Sequence, residues 1–176
     1  MPRPQPEEYA PFFANYISLV PEDDVMPVLS AQLEETLRLF RTISESESLV
    51  LHSPYTWTIK QVVGHLTDGE RIFGYRALRF ARGDSTPLPG FEENDYVRAG
   101  EFNRVPFTDL IEAFETVRRS QLFFFRQLPA EAWSRGGLAN NGPVTVRASA
   151  YIMAGHVRHH TAIVRRRLGA ATGSSR

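Results

Sequence analysis

The chain has 176 residues, 42% of them hydrophobic and 23% charged, the proportions of a soluble globular protein long enough for one domain with a real core. Its 20 basic and 20 acidic side chains cancel, which leaves no electrostatic footprint for nucleic acid or an anionic membrane. Cysteine is absent, so disulfides, thiolate nucleophiles and zinc–thiolate sites are excluded together.

The first eleven residues hold four prolines together with Glu7 and Glu8, which is neither an ordinary helix nor a secretory signal. No apolar run approaches the roughly 20 residues that span a bilayer. These features predict a cytoplasmic protein with no membrane or nucleic-acid partner. Phe12, Phe13, Tyr16, Ile17, Leu19 and Val20 form an apolar patch too short to stand alone. Residues 1–24 therefore read as a lead-in packed on the body of the protein, residues 25–169 as a single helical domain and residues 170–176 as a loose polar tail.

Four long helices follow from the 3.6-residue period. The first runs over residues 25–47, with Val28, Leu29, Leu33, Leu37, Phe40 and Ile43 inward. Thr56 or Thr58 caps the second, over residues 59–82, whose stripe is Ile59, Val62, Val63, Leu66, Phe73, Ala77 and Phe80. His65 lies at the edge of that stripe between Gly64 and Gly69, which suggests close helix approach or room for something bound. Residues 83–106, rich in Gly, Pro, Asp and Asn, form a long crossover, either a pocket cover or a solvated connection. The third helix starts at Pro106 or Thr108 and ends near Leu128, with Arg118 and Arg119 taken as surface charges. Residues 136–146 read as turns or a short extended segment around Asn140-Asn141-Gly142. The fourth helix, residues 146–168, ends at Gly169. The fold class is all-α, a four-helix bundle with a long crossover connection.

The fourth helix carries Gly155-His156-Val157-Arg158-His159-His160, three of the five histidines. His156 and His160, four apart, share one face with Ser149, Ile152, Ile163 and Arg167, so both imidazoles point into the bundle. His159 falls about 60° aside, at the border. Two histidines one turn apart can hold a cation between their ring nitrogens. His65 of the second helix supplies a third ligand. Three protein ligands leave a coordination position open, as in catalytic sites. Asp68 and Glu70, within a turn of His65, are candidates for a catalytic base or for orienting an imidazole. Zinc or nickel is the favoured ion, with iron or manganese possible on the same donors.

Trp57-Thr58-Ile59-Lys60-Gln61-Val62-Val63-Gly64-His65-Leu66-Thr67-Asp68 resembles the second-helix motif of the DinB/YfiT-like superfamily. Gly155-His156-Val157-Arg158-His159-His160 is similar to its fourth-helix motif, and Tyr16-Ile17-Ser18-Leu19-Val20-Pro21 to its N-terminal segment. The resemblance implies an up-up-down-down four-helix bundle, often a homodimer, with a divalent metal on His65, His156 and His160. It also implies a small-molecule substrate, since the family includes metal-dependent hydrolases and S-transferases or isomerases that use a low-molecular-weight thiol. Three readings compete: a metal-dependent enzyme, a non-catalytic metal-stabilised binding or dimerisation module, and a carrier of apolar ligands whose histidines are merely hydrogen-bonded.

Overall fold

The computed structural model describes residues 2–173, with side chains described through Gly169. Four helices form the body: α2 (Val25–Arg41), α4 (Ile59–Ala81), α6 (Phe107–Arg126) and α7 (Val146–Gly173). Three short helices lie between or before them: α1 (Ala14–Ser18), α3 (Glu45–Ser48) and α5 (Glu93–Ala99). A hairpin of β1 (Gly136–Ala139) and β2 (Gly142–Thr145) precedes α7. Among the described residues, no helix is long and apolar enough to cross a membrane.

Side-chain pairings give the helix directions. Arg41 meets Glu115, and Arg126 meets Ser30, so α2 and α6 are antiparallel. Glu70 meets Arg118 and Arg82 stacks over Phe124, so α4 and α6 are parallel, which requires the long crossover. His65 lies against His156, and Arg135 donates to the Ala81 carbonyl just before α7 begins, so α4 and α7 are antiparallel. Going round the bundle, α7 and α2 therefore run one way and α6 and α4 the other. The four-helix bundle with one long crossover is as expected, but along the chain the helices run up, down, down, up rather than up, up, down, down, an order that would need a second long crossover.

Several boundaries differ from the periodicity. The first helix stops at Arg41 rather than continuing to position 47, because Ser44 starts a new turn. Its hydroxyl accepts from the Glu47 amide at 3.2 Å, and the Glu47 carboxylate accepts from the Ser44 amide at 2.8 Å. This reciprocal cap satisfies both free donors more locally than a continued helix would. The crossover is not structureless: Glu92 caps α5, and Leu88 pairs with the hairpin by donating to Leu138 and accepting from Asn140. Helix α7 passes the expected stop at Gly169 and runs to Gly173; residues 174–176, the end of the anticipated tail, lie outside the described residues.

Beyond the aliphatic and aromatic core, one polar network sits inside the bundle. Arg118, taken from the sequence as a surface charge, has no exposed area, and Glu70 is 1% exposed. The guanidinium donates to both Glu70 oxygens at 2.7 Å, to the Gln32 side-chain oxygen at 3.0 Å and to the Leu29 carbonyl at 3.3 Å. Gln32 in turn donates to the Ala154 carbonyl on α7 at 2.8 Å. One connected set of bonds thus joins α2, α4, α6 and α7. The wheel position of Arg118, four residues from both Phe114 and Leu122, is the sequence signal for its burial.

Removing one partner strands the other charge in the interior. Arg118→Met or Glu70→Met alone is expected to cost about 3–5 kcal/mol in urea unfolding. The double variant, with no ion left to desolvate, is expected to cost less than either single change.

Candidate metal centre

His65 and His156 are buried at 7% and 4% exposure, and His160 is half-buried beside them. The Nε2 atoms of His65 and His156 face each other at 2.8 Å. One ring nitrogen from each of the three histidines lies within 4.8 Å of the others. His65 and His160 are ninety-odd residues apart in sequence, yet their ring centroids are 4.9 Å apart, because α4 and α7 cross antiparallel at this level. His159 stays outside, exposed, edge-on to Tyr16 at 5.5 Å.

The donor set fits a divalent cation. Burial pushes His65 down to about 4, helped by His159, and His160 down to about 3, helped by His65 and His159. Burial also holds His156 well below the ordinary range, with the charges of the other histidines and Arg118 adding to it. Neutral imidazoles keep the lone pairs that a metal needs. No hydrogen bond to a carboxylate consumes any of the three rings among the described residues, so the convergence is not explained by an internal ion pair.

The surrounding residues fix the rings. Trp57 leans on His65 at 4.8 Å, and Tyr16 stands edge-on to His156 at 5.4 Å. Tyr16 reaches that position because Gly155 lets α1 press on α7; a Cβ there would sit 2.0 Å from the Tyr16 carbonyl oxygen. Gly69 seats the other side of His156, since a Cβ would approach its ring to 3.0 Å. Gly64 likewise receives the Phe102 ring from the crossover, so the two glycines flanking His65 accommodate aromatic rings. Burial and the nearby Glu93 raise the Tyr16 hydroxyl, which remains a neutral donor.

The three histidines form part of the lining of a cleft of about 420 Å³. Its walls are largely aromatic, with Phe12, Phe13, Tyr16, Trp57, Phe73 and Phe91, and Arg76, Glu92, Glu93 and Asn140 add polarity. The lead-in and the crossover thus both contribute wall, as the pocket-cover reading of residues 83–106 anticipated. Asp68 and Glu70 are not brought into this lining. Glu70 is held by Arg118, and Asp68 pairs with Arg71 at 3.1 Å on the flank of α4. Trp57 and Tyr16 stood in the quoted motifs without a site role, and Phe73, Arg76 and Glu93 are further cleft residues to which the motif-based reading gave none.

The DinB superfamily model matches residues 29–164 of this sequence. The chain belongs to the DinB superfamily. Among solved structures it is similar to YfiT from Bacillus subtilis, described as a probable metal-dependent hydrolase with an unusual four-helix bundle topology. The TM-score is 0.69 at 17% identity, over 94% of this chain and 93% of that one. It is also similar to the mycothiol-dependent maleylpyruvate isomerase, with a TM-score of 0.67 at 14% identity. That match covers 78% of this chain and 58% of the isomerase, so the DinB chain spans little more than half of that protein's length. No curated protein sequence matches. At these identities the likeness establishes the shared fold.

Gly69→Ala tests how tightly His156 is seated. Helix propensity alone favours alanine by about 1 kcal/mol. The added methyl must displace the imidazole by a few tenths of an ångström. Divalent-ion affinity in a chelator competition is expected to fall by about tenfold or more, in the range seen when groups that orient a ligand are changed.

Proposed function

We propose that this chain is a divalent-metal-dependent enzyme that acts on a small molecule, as a hydrolase or as an S-transferase using a low-molecular-weight thiol. His65, His156 and His160 hold the ion, with zinc or nickel the metals that suit the set best. The observation that carries the reading is that three imidazoles, two buried and one half-buried, converge on the wall of an open aromatic cleft rather than inside a closed core. A structural metal is normally enclosed by four protein ligands, whereas three ligands beside a cleft leave a position for a reactant.

A divalent ion supplies Lewis acidity, which lowers the pKa of a water or thiol and polarises an electrophile. The chain's own residues do the remaining work. The aromatic walls exclude water from the reactant and strengthen every electrostatic contact in the cleft. Trp57 and Tyr16 keep the His65 and His156 rings from turning. The Tyr16 hydroxyl offers a neutral donor beside the histidines, and Glu93 a carboxylate on the same side. With no cysteine in the chain, any thiol chemistry relies on a thiol brought by the co-substrate. Glu70 acts in this reading by positioning: it anchors Arg118 and so holds α4 against the other helices. Asp68 is a weaker candidate for proton transfer, one turn along α4 and tied to Arg71.

Elemental analysis of the purified chain is expected to give about one divalent ion per chain. The His65→Ala/His156→Ala/His160→Ala variant is expected to lose it, and full retention would refute the ligand assignment. A panel of ester and amide hydrolysis and of thiol conjugation to electrophiles is expected to show turnover that chelation abolishes. Metal retained with no turnover across the panel favours the non-catalytic module.

A further inference from the structure

Four cationic side chains are buried among the described residues: Lys60, Arg76, Arg118 and Arg167. Lys60 is paired with Glu45, and Arg118 with Glu70. Arg167 lies over the Tyr55 ring and donates to the Val50 carbonyl, away from the cleft. Arg76 alone is buried, without a carboxylate partner, and part of the cleft wall.

Its position on α4 explains where it points. Arg76 follows His65 by eleven residues, which places it about 20° from the same direction and about 16 Å further along the helix. Side chains on a helix lean toward its N-terminus. The guanidinium does so, lying over the Phe73 ring at 5.7 Å, and Phe73 in turn stands 6.2 Å from His156. Histidine, Phe73 and Arg76 therefore form a row down one side of the cleft. The guanidinium spends one N–H on the Pro89 carbonyl at 3.0 Å. Its remaining donors, in a planar fork suited to two oxygens at once, have no hydrogen-bond partner among the described residues.

We infer that Arg76 is the anchor for a carboxylate on the substrate, seated so that the apolar body of the molecule lies along Phe73 toward His65, His156 and His160. This deepens the small-molecule reading of the cleft and rests on it. The side chain as a whole is buried, yet no buried donor of it is left unpaired, so its free N–H groups open onto the cleft, where an anion can meet them at reduced solvent screening. A single arginine in a largely aromatic wall that also carries Glu92 and Glu93 matches a monoanion better than a doubly charged phosphate. The cleft's acidic groups do not fill this role. Glu92 is engaged in capping α5, with its Oε1 accepting from the Asn94 amide, and Glu93 lies toward Tyr16. The ligand class is thus an aryl- or alkyl-carboxylate, bound at one end by charge and at the other by the metal centre.

The test uses 3-phenylpropanoate and its neutral isostere 3-phenylpropanamide on the full chain, with and without chelator. Trp57 lines the cleft, while the other tryptophan, Trp133, stacks on Phe125 in the core, so fluorescence that disappears in Trp57→Phe reports the site. The carboxylate is expected to bind about tenfold or more tightly than the amide, with or without metal. Arg76→Gln, which can still donate to Pro89, is expected to erase that preference, and Arg76→Lys to keep part of it. Equal binding of the two probes by the unsubstituted chain, no saturable carboxylate signal, or a preference that survives Arg76→Gln would overturn the inference. The comparison of probes on the unsubstituted chain decides the matter even if the variants misfold. Failure of the metal reading shows separately, as a chain without metal that still prefers the carboxylate.

Discussion

The bidentate pair between Glu70 and Arg118 is the interaction on which the site's geometry depends. Hydrophobic burial drives the four helices together, but it is non-directional and tolerates sliding of one helix along another. A guanidinium fork does not. With both Glu70 oxygens, Gln32 and the Leu29 carbonyl on one arginine, and with Gln32 bonded to Ala154, the axial positions of four helices are fixed at one level. Glu70 lies five residues from His65, and Ala154 two from His156. The level at which the network sets the helices is therefore the level at which the histidines meet.

The same burial that makes the network costly to break gives the histidines their character. In a medium that penalises charge, imidazoles lose their protons rather than repel one another, and what remains is a set of neutral donors aimed at a common point. Rings packed around them remove the freedom to turn away. Tyr16 achieves this from the lead-in, Trp57 from the turn before α4, and Phe73 from α4 itself. The site is thus assembled from parts of the chain that make little sense separately.

Much of this was legible in the residues. Apolar spacing placed the four long helices, and the His156–His160 interval put two ligands on one face. His65 was recoverable because a lone histidine sat between glycines at the edge of a core stripe. Other features were hidden for physical reasons. The break after Arg41 depends on a Ser44–Glu47 cap that competes with helix continuation, a contest that periodicity does not register. Arg118 and Arg76 occupy apolar-face positions, but a charge at such a position reads as an exception until its partner or its cavity is known. Glu70 looked like a base near His65; its engagement with a residue 48 positions away is a tertiary fact. The lead-in's role as cleft wall likewise depends on where Gly155 lets it cross.

The hairpin before α7 carries a consequence for what the protein admits. Asn140 and Asn141 both adopt positive φ, 50° and 61°, the mirror-image turn that matches strand twist. Leu88 of the crossover is stitched to this hairpin through backbone bonds on both sides. Ala139 and Asn140 of this hairpin line the cleft, so part of the wall is framed by paired peptide groups rather than by an unpaired loop. Phe91 and Asn140 stand on this part of the wall outside all four long helices, so the shape offered to a guest can be altered there without a substitution in any bundle helix.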